Sequence, residues 1–156
     1  MIAPLQRFGH RVRLRLTRRD EGRAIVEFIF VGVLLLVPLI YLVIAIARVQ
    51  AAAFSVSTAA REAGRAFTTA QQEADAYPRA RAAAAISFED YGFAPDAGLV
   101  ISCDGAPCLR PDGRVSARAT IDVRLPLVPD FLAGAVPTSV PVSATHVASV
   151  DRFAGR

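Results

Sequence analysis

The length and composition of the chain allow one modest domain joined to a single accessory segment. The chain has 156 residues, of which 53% are hydrophobic, and all 18 of its basic residues are arginine. The net charge of +4 is concentrated at the start, because residues 1–23 hold seven arginines against Asp20 and Glu21. A basic stretch directly before an apolar run favours a cytoplasmic topogenic signal facing anionic lipid over a nucleic-acid-binding arm.

The apolar run from Phe28 to Ala47 is predicted to be a transmembrane helix. It contains 20 residues without a charge, and 15 of them are Phe, Ile, Leu or Val. A helix of this length covers ~30 Å, the thickness of the hydrocarbon core of a bilayer. The apolar side chains contribute roughly −5 to −9 kcal/mol to insertion, which outweighs Gly32, Pro38 and Tyr41. The positive-inside rule then predicts a single-pass protein of the cell membrane, with a cytoplasmic N-terminus and an extracytoplasmic C-terminal domain.

A cleaved secretory signal is the alternative interpretation of the same run. Ala45-Ile46-Ala47 has the pattern of a signal-peptidase site, and cleavage there would release a secreted protein beginning at Arg48. The apolar part of a signal peptide is ~7–15 residues long, however, and this run is longer. A retained anchor is therefore the preferred interpretation.

Helical periodicity continues beyond the apolar run. Val49, Val56, Ala60, Ala63 and Phe67 recur near heptad spacing, which predicts one helix from Gly22 to about Thr69. The more polar positions lie between these residues: Arg48, Ser55, Thr58, Glu62 and Arg65. We expect the thin, alanine-rich stripe to cover the chain's own sheet and also to pack against a neighbouring subunit.

A second, shorter helix is predicted from Pro78 to Tyr91. Proline suits the first turn of a helix, alanines 82–85 extend it, and Gly92 is placed to end it.

The C-terminal half has the pattern of antiparallel strands. Residues 114–125 alternate strictly, with six apolar residues on one face and Arg114, Ser116, Arg118, Thr120, Asp122 and Arg124 on the other. Residues 98–103 and 139–150 supply two more strands, and Pro141 either places the last one at a sheet edge or limits the pairing of its first residues. The predicted fold class is therefore α+β: a long N-terminal transmembrane helix continuing outside the membrane, a second short helix and a small antiparallel sheet. The connecting loop carries Phe131 and Leu132, which need a partner surface.

The two cysteines, Cys103 and Cys108, are predicted to form a structural disulfide. They flank an Asp-Gly-Ala-Pro sequence at a strand end, and oxidation is the default outside the cytoplasm. A zinc site is disfavoured because the only histidines are His10 and His146, and a catalytic thiol lacks a nearby histidine.

No catalytic set is evident in the sequence. It contains no G-x-S-x-G motif, no phosphate-binding glycine loop and no carboxylate pair near a candidate pocket. We therefore expect neither an enzyme nor a cofactor, metal or small-molecule substrate, and no nucleic-acid partner.

Glu27 is the residue that most needs an explanation, because it lies at the threshold of the apolar run. An unpaired charge in hydrocarbon costs ~2.5–3.5 kcal/mol even on the mildest insertion scale. Arg23 lies four residues earlier and could form a local ion pair worth a few tenths of a kcal/mol. The other interpretation is that the carboxylate acts in assembly.

The N-terminal region resembles the processing site of type IV prepilin-like proteins. It has a basic leader, then Gly22, four further residues, Glu27 and an apolar run. The chain resembles the TadE-like minor pilins of tight-adherence (Tad) pilus systems in three features. These are "GRAIVEF", the segment "AAREAGRA" at residues 59–66 and the C-terminal strands. The resemblance implies that a prepilin peptidase cuts between Gly22 and Arg23. It also implies that Glu27, the fifth mature residue, meets the free N-terminal amine of a neighbouring subunit. Arginine is unusual at the first mature position of that family.

This resemblance sets the expected organisation and partners. Residues 1–22 form a cytoplasmic leader, 23–70 a transmembrane helix with its outer extension, and 71–156 an extracytoplasmic α+β domain. The implied function is that of a non-catalytic minor pilin, pseudopilin or assembly factor of a tight-adherence pilus or a related secretion apparatus. Its implied partners are membrane lipid, the prepilin peptidase, other pilin-like subunits and inner-membrane assembly proteins. The alternative from another class is an uncleaved, membrane-anchored binding module.

Overall fold

The structure is a computed structural model that describes residues 5–125 and 138–153, with side chains described from residue 22 onward. Helix α1 is Leu5–Thr68 and helix α2 is Glu73–Asp90, followed by a 3-10 turn at Ala94–Asp96. Strand β1 is Ala97–Cys103, β2 is Arg114–Arg124 and β3 is Ser139–Ser149. The predicted α+β class is confirmed. The chain divides into two compact units, Met1–Val43 and Ile44–Arg156.

Helix α1 contains a segment that is long and apolar enough to cross a membrane. Among the described residues it is the one such segment, placed at Gly22–Thr68, and only 6% of its most apolar window is buried. The side chains of Phe28 and Leu35 are 78% and 66% exposed. The predicted start of the helix at Gly22 was wrong, since α1 begins at Leu5. A single helical glycine costs only ~1 kcal/mol relative to alanine, so Gly22 does not end a helix flanked by good helix formers.

The second unit contains a three-stranded antiparallel sheet in the order β1-β2-β3. Each strand pairs without a bulge, from Ala97↔Ile121 to Cys103↔Val115 and from Arg114↔Ser149 to Arg124↔Ser139. The alternation predicted for β2 is confirmed, because its inner face is at most 1% exposed at Val115, Ala117, Ala119, Ile121 and Val123. The predicted edge position of the strand that carries Pro141 is also confirmed.

The hydrogen bonds at the ends of the sheet fix which way each backbone group points. The Leu125 amide donates to the Thr138 carbonyl at 2.9 Å, and the Val150 amide donates to the Gly113 carbonyl at 2.8 Å. Because bonded pairs alternate in an antiparallel ladder, the even-numbered residues of β3 bond to β2 and the odd-numbered ones face the free edge. Pro141, which has no amide hydrogen, is an edge-facing residue.

The core of the second unit lies between α1, α2 and the inner face of the sheet. The heptad residues Val56, Ala60, Ala63 and Phe67 are at most 1% exposed, as the periodicity predicts. Ten of the nineteen buried hydrophobic residues in the described part of the chain are alanine. Such small side chains let the elements approach closely.

Gly64 lies at a close contact between α1 and the sheet. A Cβ atom at Gly64 would lie 3.3 Å from both the Ala148 Cβ and the His146 Cδ2. His146 is half-buried on the inner face of β3, as a plain sheet residue would be. This contact confirms that the outer part of α1 covers the chain's own sheet.

Ser55, one of the polar residues between the heptad positions of α1, is fully buried. Its Oγ donates a hydrogen bond to the Ser87 carbonyl of α2 at 3.1 Å. A buried hydroxyl is tolerated when it has such a partner, and the bond ties the two helices together.

The predicted start of α2 at Pro78 was wrong, because the helix begins five residues earlier at Glu73. Pro78 has no amide hydrogen, so the helix lacks the hydrogen bond that residue 78 would donate to the Ala74 carbonyl. This position is close to the helix N-terminus, where the first amides have no intrahelical partner in any case. Burial compensates for the loss: Ala76 is fully buried, and the Tyr77 ring packs edge-on against Phe67 with centroids 5.0 Å apart.

The predicted role of Gly92 at the end of α2 is confirmed. Its φ is +72°, the left-handed conformation that glycine adopts without strain. The Phe93 amide then donates to the Phe88 carbonyl at 2.8 Å, which satisfies a free carbonyl of the last turn.

Two predicted features lie outside the described residues. The loop with Phe131 and Leu132 falls in residues 126–137, and the side chains of the arginines before Gly22 are not described.

Candidate functional site

Gly22, Arg23 and Glu27 lie in sequence along α1, at the start of its apolar segment. All three are exposed. The rise of a helix places the Cα atoms of Gly22 and Glu27 about 7.5 Å apart along the axis. Arg23 and Glu27, spaced i and i+4, share one face of the helix.

Glu27 has no partner among the residues whose side chains are described. In particular, no ion pair joins it to Arg23, although their spacing permits one. Its C-terminal neighbour Phe28 is 78% exposed, so the carboxylate borders an apolar surface. This arrangement can accept a cation or a hydrogen-bond donor from another molecule.

Gly22 is not required by local packing in the described part of the chain. A Cβ atom there would have no heavy atom within 4 Å, and the same holds at Gly32 inside the apolar segment. The fold therefore tolerates a larger residue at either position.

The cysteines form the predicted disulfide. Cys103 and Cys108 are bonded with Cα atoms 5.4 Å apart, at the end of β1 and in the loop that follows. The loop contains a cis peptide bond between Ala106 and Pro107. The disulfide closes a short ring next to the first residues of β2.

A charged network holds the same loop against β2. The Arg110 Nη2 atom is 2.8 Å from the Asp104 Oδ1 atom, and the Arg114 amide donates to that same oxygen at 3.0 Å. The Arg110 guanidinium lies directly over Gly105, where a Cβ atom would collide with it. The Arg114 amide, opposed in part by desolvation and assisted by the Arg110 charge, holds the pKa of Asp104 below its ordinary value of 3.8.

A cleft opens between α2 and β1. Its volume is about 280 Å³, and its walls are apolar apart from one cation. The lining residues are Arg81, Ala84, Ala85, Phe88, Ala94, Ala97 and Leu99. Phe88 is 6% exposed and forms a fixed wall, whereas Arg81 is exposed.

Sequence reasoning did not identify the cleft or the Asp104–Arg110 pair. The sequence does indicate that Arg81 lacks an ion-pair partner on its own helix, because the positions three and four residues away hold no acidic side chain. The contact between Arg110 and Gly105 depends on the path of the loop, which the sequence pattern does not give.

Comparisons of the chain with protein-family models, with curated proteins and with solved structures each returned no match.

Proposed function

We propose that this chain is a TadE-like minor pilin, pseudopilin or assembly factor of a tight-adherence pilus or a related secretion apparatus. The observation that carries the proposal is the Glu27 carboxylate, which has no ion-pair partner among the described side chains and lies at the start of an exposed apolar helical segment, five residues after Gly22. The role is structural, and the chain is anchored in the membrane with its second unit on the extracytoplasmic side.

The energetics of Glu27 support a role in assembly. An unpaired carboxylate in hydrocarbon costs ~2.5–3.5 kcal/mol, and a local ion pair with Arg23 is not formed in the described structure. The N-terminal ammonium group of a neighbouring subunit would offset this cost only when the two helices are in register. Charge pairing would then select correctly aligned subunits.

The surroundings of Gly22 support its role as a processing residue. Packing within the described residues does not require glycine there, so its presence fits recognition by a peptidase better than a demand of the fold. Cleavage after Gly22 by a prepilin peptidase would remove the basic leader and leave Arg23 as the first mature residue.

The assembly role is tested by Glu27→Gln, with Glu62→Gln as the matched control. Glu62 is an exposed carboxylate on the same helix beyond the apolar segment. We expect Glu27→Gln to enter membranes at least as well as the wild type, because it removes a charge from the start of the apolar segment, and yet to lose most of its incorporation into assembled complexes. Carbonate extraction measures the first property and quantitative immunoblotting of purified assemblies measures the second. Normal incorporation of Glu27→Gln would remove the assembly role.

Processing is tested by Gly22→Leu, with Gly32→Leu as the matched control in the same helix. Gly22→Leu should retain the leader and migrate as a species roughly 2.7 kDa larger, whereas Gly32→Leu should be processed normally. N-terminal sequencing of the native protein gives the independent reading. A start at Arg23 supports the proposal, a start at Met1 supports an uncleaved anchor, and a start at Arg48 supports a secreted protein.

A second candidate function is a membrane-anchored binding module that keeps its leader. The cleft between α2 and β1 favours it, because apolar walls with one exposed cation are typical of a recognition site. Recovery of Met1 together with normal behaviour of Glu27→Gln would favour this candidate over the pilin.

A further inference from the structure

Strand β1 leaves a row of backbone groups without a partner strand in the described part of the chain. The Asp104 amide donates to the Arg114 carbonyl at 3.1 Å, so the even-numbered residues at this end of the sheet bond to β2. Residues Ala97, Leu99, Ile101 and Cys103 therefore direct their amides and carbonyls to the free edge. Strand β1 has no charged side chain or proline, which are the usual protections of an edge strand.

The cleft lies beside this edge and is shaped for apolar side chains. Leu99 and Ala97 line it from the strand, and Ala85 and Phe88 line it from α2. The side chains of Leu99 and Ile101 are only half-buried, although the residues that they pair with on β2, Ala119 and Ala117, are fully buried. The apolar face of the sheet therefore extends beyond the part that the described residues of the helices bury, and it reaches the free edge of β1.

Arg81 adds a charge requirement to the cleft. It is exposed on the cleft wall, and it forms no ion pair with a side chain that the structure describes. Its neighbours at helical spacing are Tyr77, Pro78, Ala84 and Ala85, none of which is acidic. No acidic side chain that the structure describes pairs with the guanidinium, which can therefore bind the carboxylate of a partner.

We propose that this cleft binds an extended segment of another protein, which adds as a strand to the free edge of β1 and carries an acidic side chain among apolar ones. The backbone of the segment satisfies the edge amides and carbonyls, its apolar side chains enter the cleft, and its carboxylate pairs with Arg81. A small molecule would leave most of the edge groups unsatisfied. The proposal is independent of the pilin function.

A second copy of this chain fits the cleft less well than a different protein. The described strands with a free edge are β1 and β3, and neither contains an acidic residue. Among the three described strands, the one acidic residue is Asp122, on the central strand β2. An identical edge strand would therefore leave Arg81 without its carboxylate.

The test uses the full chain in lipid nanodiscs and a phage-displayed library of random seven-residue peptides, the length of β1. Selections are run in parallel on the wild type, Arg81→Gln and Ala85→Phe. The matched controls are Arg79→Gln and Ala82→Phe, exposed positions of α2 that do not line the cleft. The most enriched peptide is then synthesised with and without N-methylation of alternate amides, and its binding is measured by fluorescence anisotropy.

We expect the wild type and both controls to enrich peptides that combine one Asp or Glu with alternating apolar residues. Arg81→Gln should lose the preference for the acid and bind the synthetic peptide about tenfold more weakly, as the loss of a charged hydrogen bond implies. Ala85→Phe should abolish selection because it fills the cleft, and N-methylation should abolish binding because it blocks strand addition.

Several results would overturn the proposal. They are selection of no common pattern by the wild type, an unchanged acid preference in Arg81→Gln, or equal binding of the N-methylated peptide. Self-association of the full chain that Ala85→Phe prevents, measured by mass photometry, would assign the cleft to a second copy instead.

Discussion

At the scale of single residues, Asp104 shows how one carboxylate organises a loop. Its Oδ1 atom accepts from the Arg114 amide at 3.0 Å and pairs with Arg110 at 2.8 Å, while its own amide donates back to β2. The disulfide at Cys103 and Cys108 restrains the same few residues. The covalent bond limits the shape of the loop, and the carboxylate fixes its attachment to the sheet.

The lowered pKa of Asp104 predicts a pH-dependent contribution to stability. Because the carboxylate is favoured in the folded state, its contribution is fully present above the ordinary pKa of 3.8 and is lost as the pH falls through the lower folded value. We expect the loss of unfolding free energy caused by Asp104→Asn to be largest near neutral pH and to shrink below about pH 4. Urea unfolding of the oxidised wild type and variant, near neutral pH and below pH 4, measures how the cost of the substitution changes with pH.

The control for this prediction is Asp122→Asn, which removes one negative charge from the exposed face of β2. A cost of Asp104→Asn that is the same at both pH values, or that only matches the cost of Asp122→Asn, would show that the carboxylate does not hold the loop.

At the scale of the elements, the direction of the backbone groups of β3 gives a sharp contrast between adjacent residues. Ala144 pairs with Ala119, and its amide donates to β2, whereas the amide of Thr145 faces the free edge. Ala144→Pro should therefore cost about 1–3 kcal/mol more than Thr145→Pro, because it removes a bond of the sheet and leaves a β2 carbonyl without its donor. Thr145→Pro should be the milder change, because its position is equivalent to that of Pro141.

Thermal unfolding of the two variants followed by circular dichroism checks this contrast. Thr145 is exposed, so its replacement removes no buried side chain. Equal losses of Tm in the two variants would mean that the pairing of β2 with β3 differs from the one described.

The sequence predicted elements well where one periodicity dominated. Strict alternation in β2 identified both of its faces, and heptad spacing identified the buried side of α1. Prediction from the sequence failed where two signals competed. At Pro78, the preference of proline for a first helical turn was outweighed by the burial of Ala76. The burial of Ser55 could not be read from the heptad pattern, because a hydroxyl in the core depends on a partner, Ser87, that is distant in sequence. The cleft could not be predicted because it arises only when α2 and β1 are side by side.

At the scale of the whole molecule, the buried residues indicate how much of the chain the second unit needs in order to fold. The first core residue of α1 is Ala52, with Val49 packed at its margin. The Arg48 guanidinium lies 5.7 Å from the centre of the Phe93 ring, a favourable cation–aromatic contact. No residue of the described core cluster precedes Arg48. The apolar segment is therefore dispensable for the core.

We predict that a chain beginning at Arg48 folds without the membrane segment. It should form the Cys103–Cys108 disulfide and unfold cooperatively, with a Tm within roughly 8 °C of the full chain in detergent, since only about 1 kcal/mol of helix-end stability is lost. A chain beginning at Ala60 is the control, because it lacks Ala52, Ser55 and Val56 from the core and from the bond to α2. It should lose cooperative unfolding, as measured by near-ultraviolet circular dichroism and calorimetry. If the longer fragment also lacks a cooperative transition, the apolar segment contributes to folding as well as to location. If it folds as expected, the sequence of the apolar segment is free to serve anchoring and assembly, and substitutions at Gly22 and Glu27 can be interpreted without a correction for stability of the second unit.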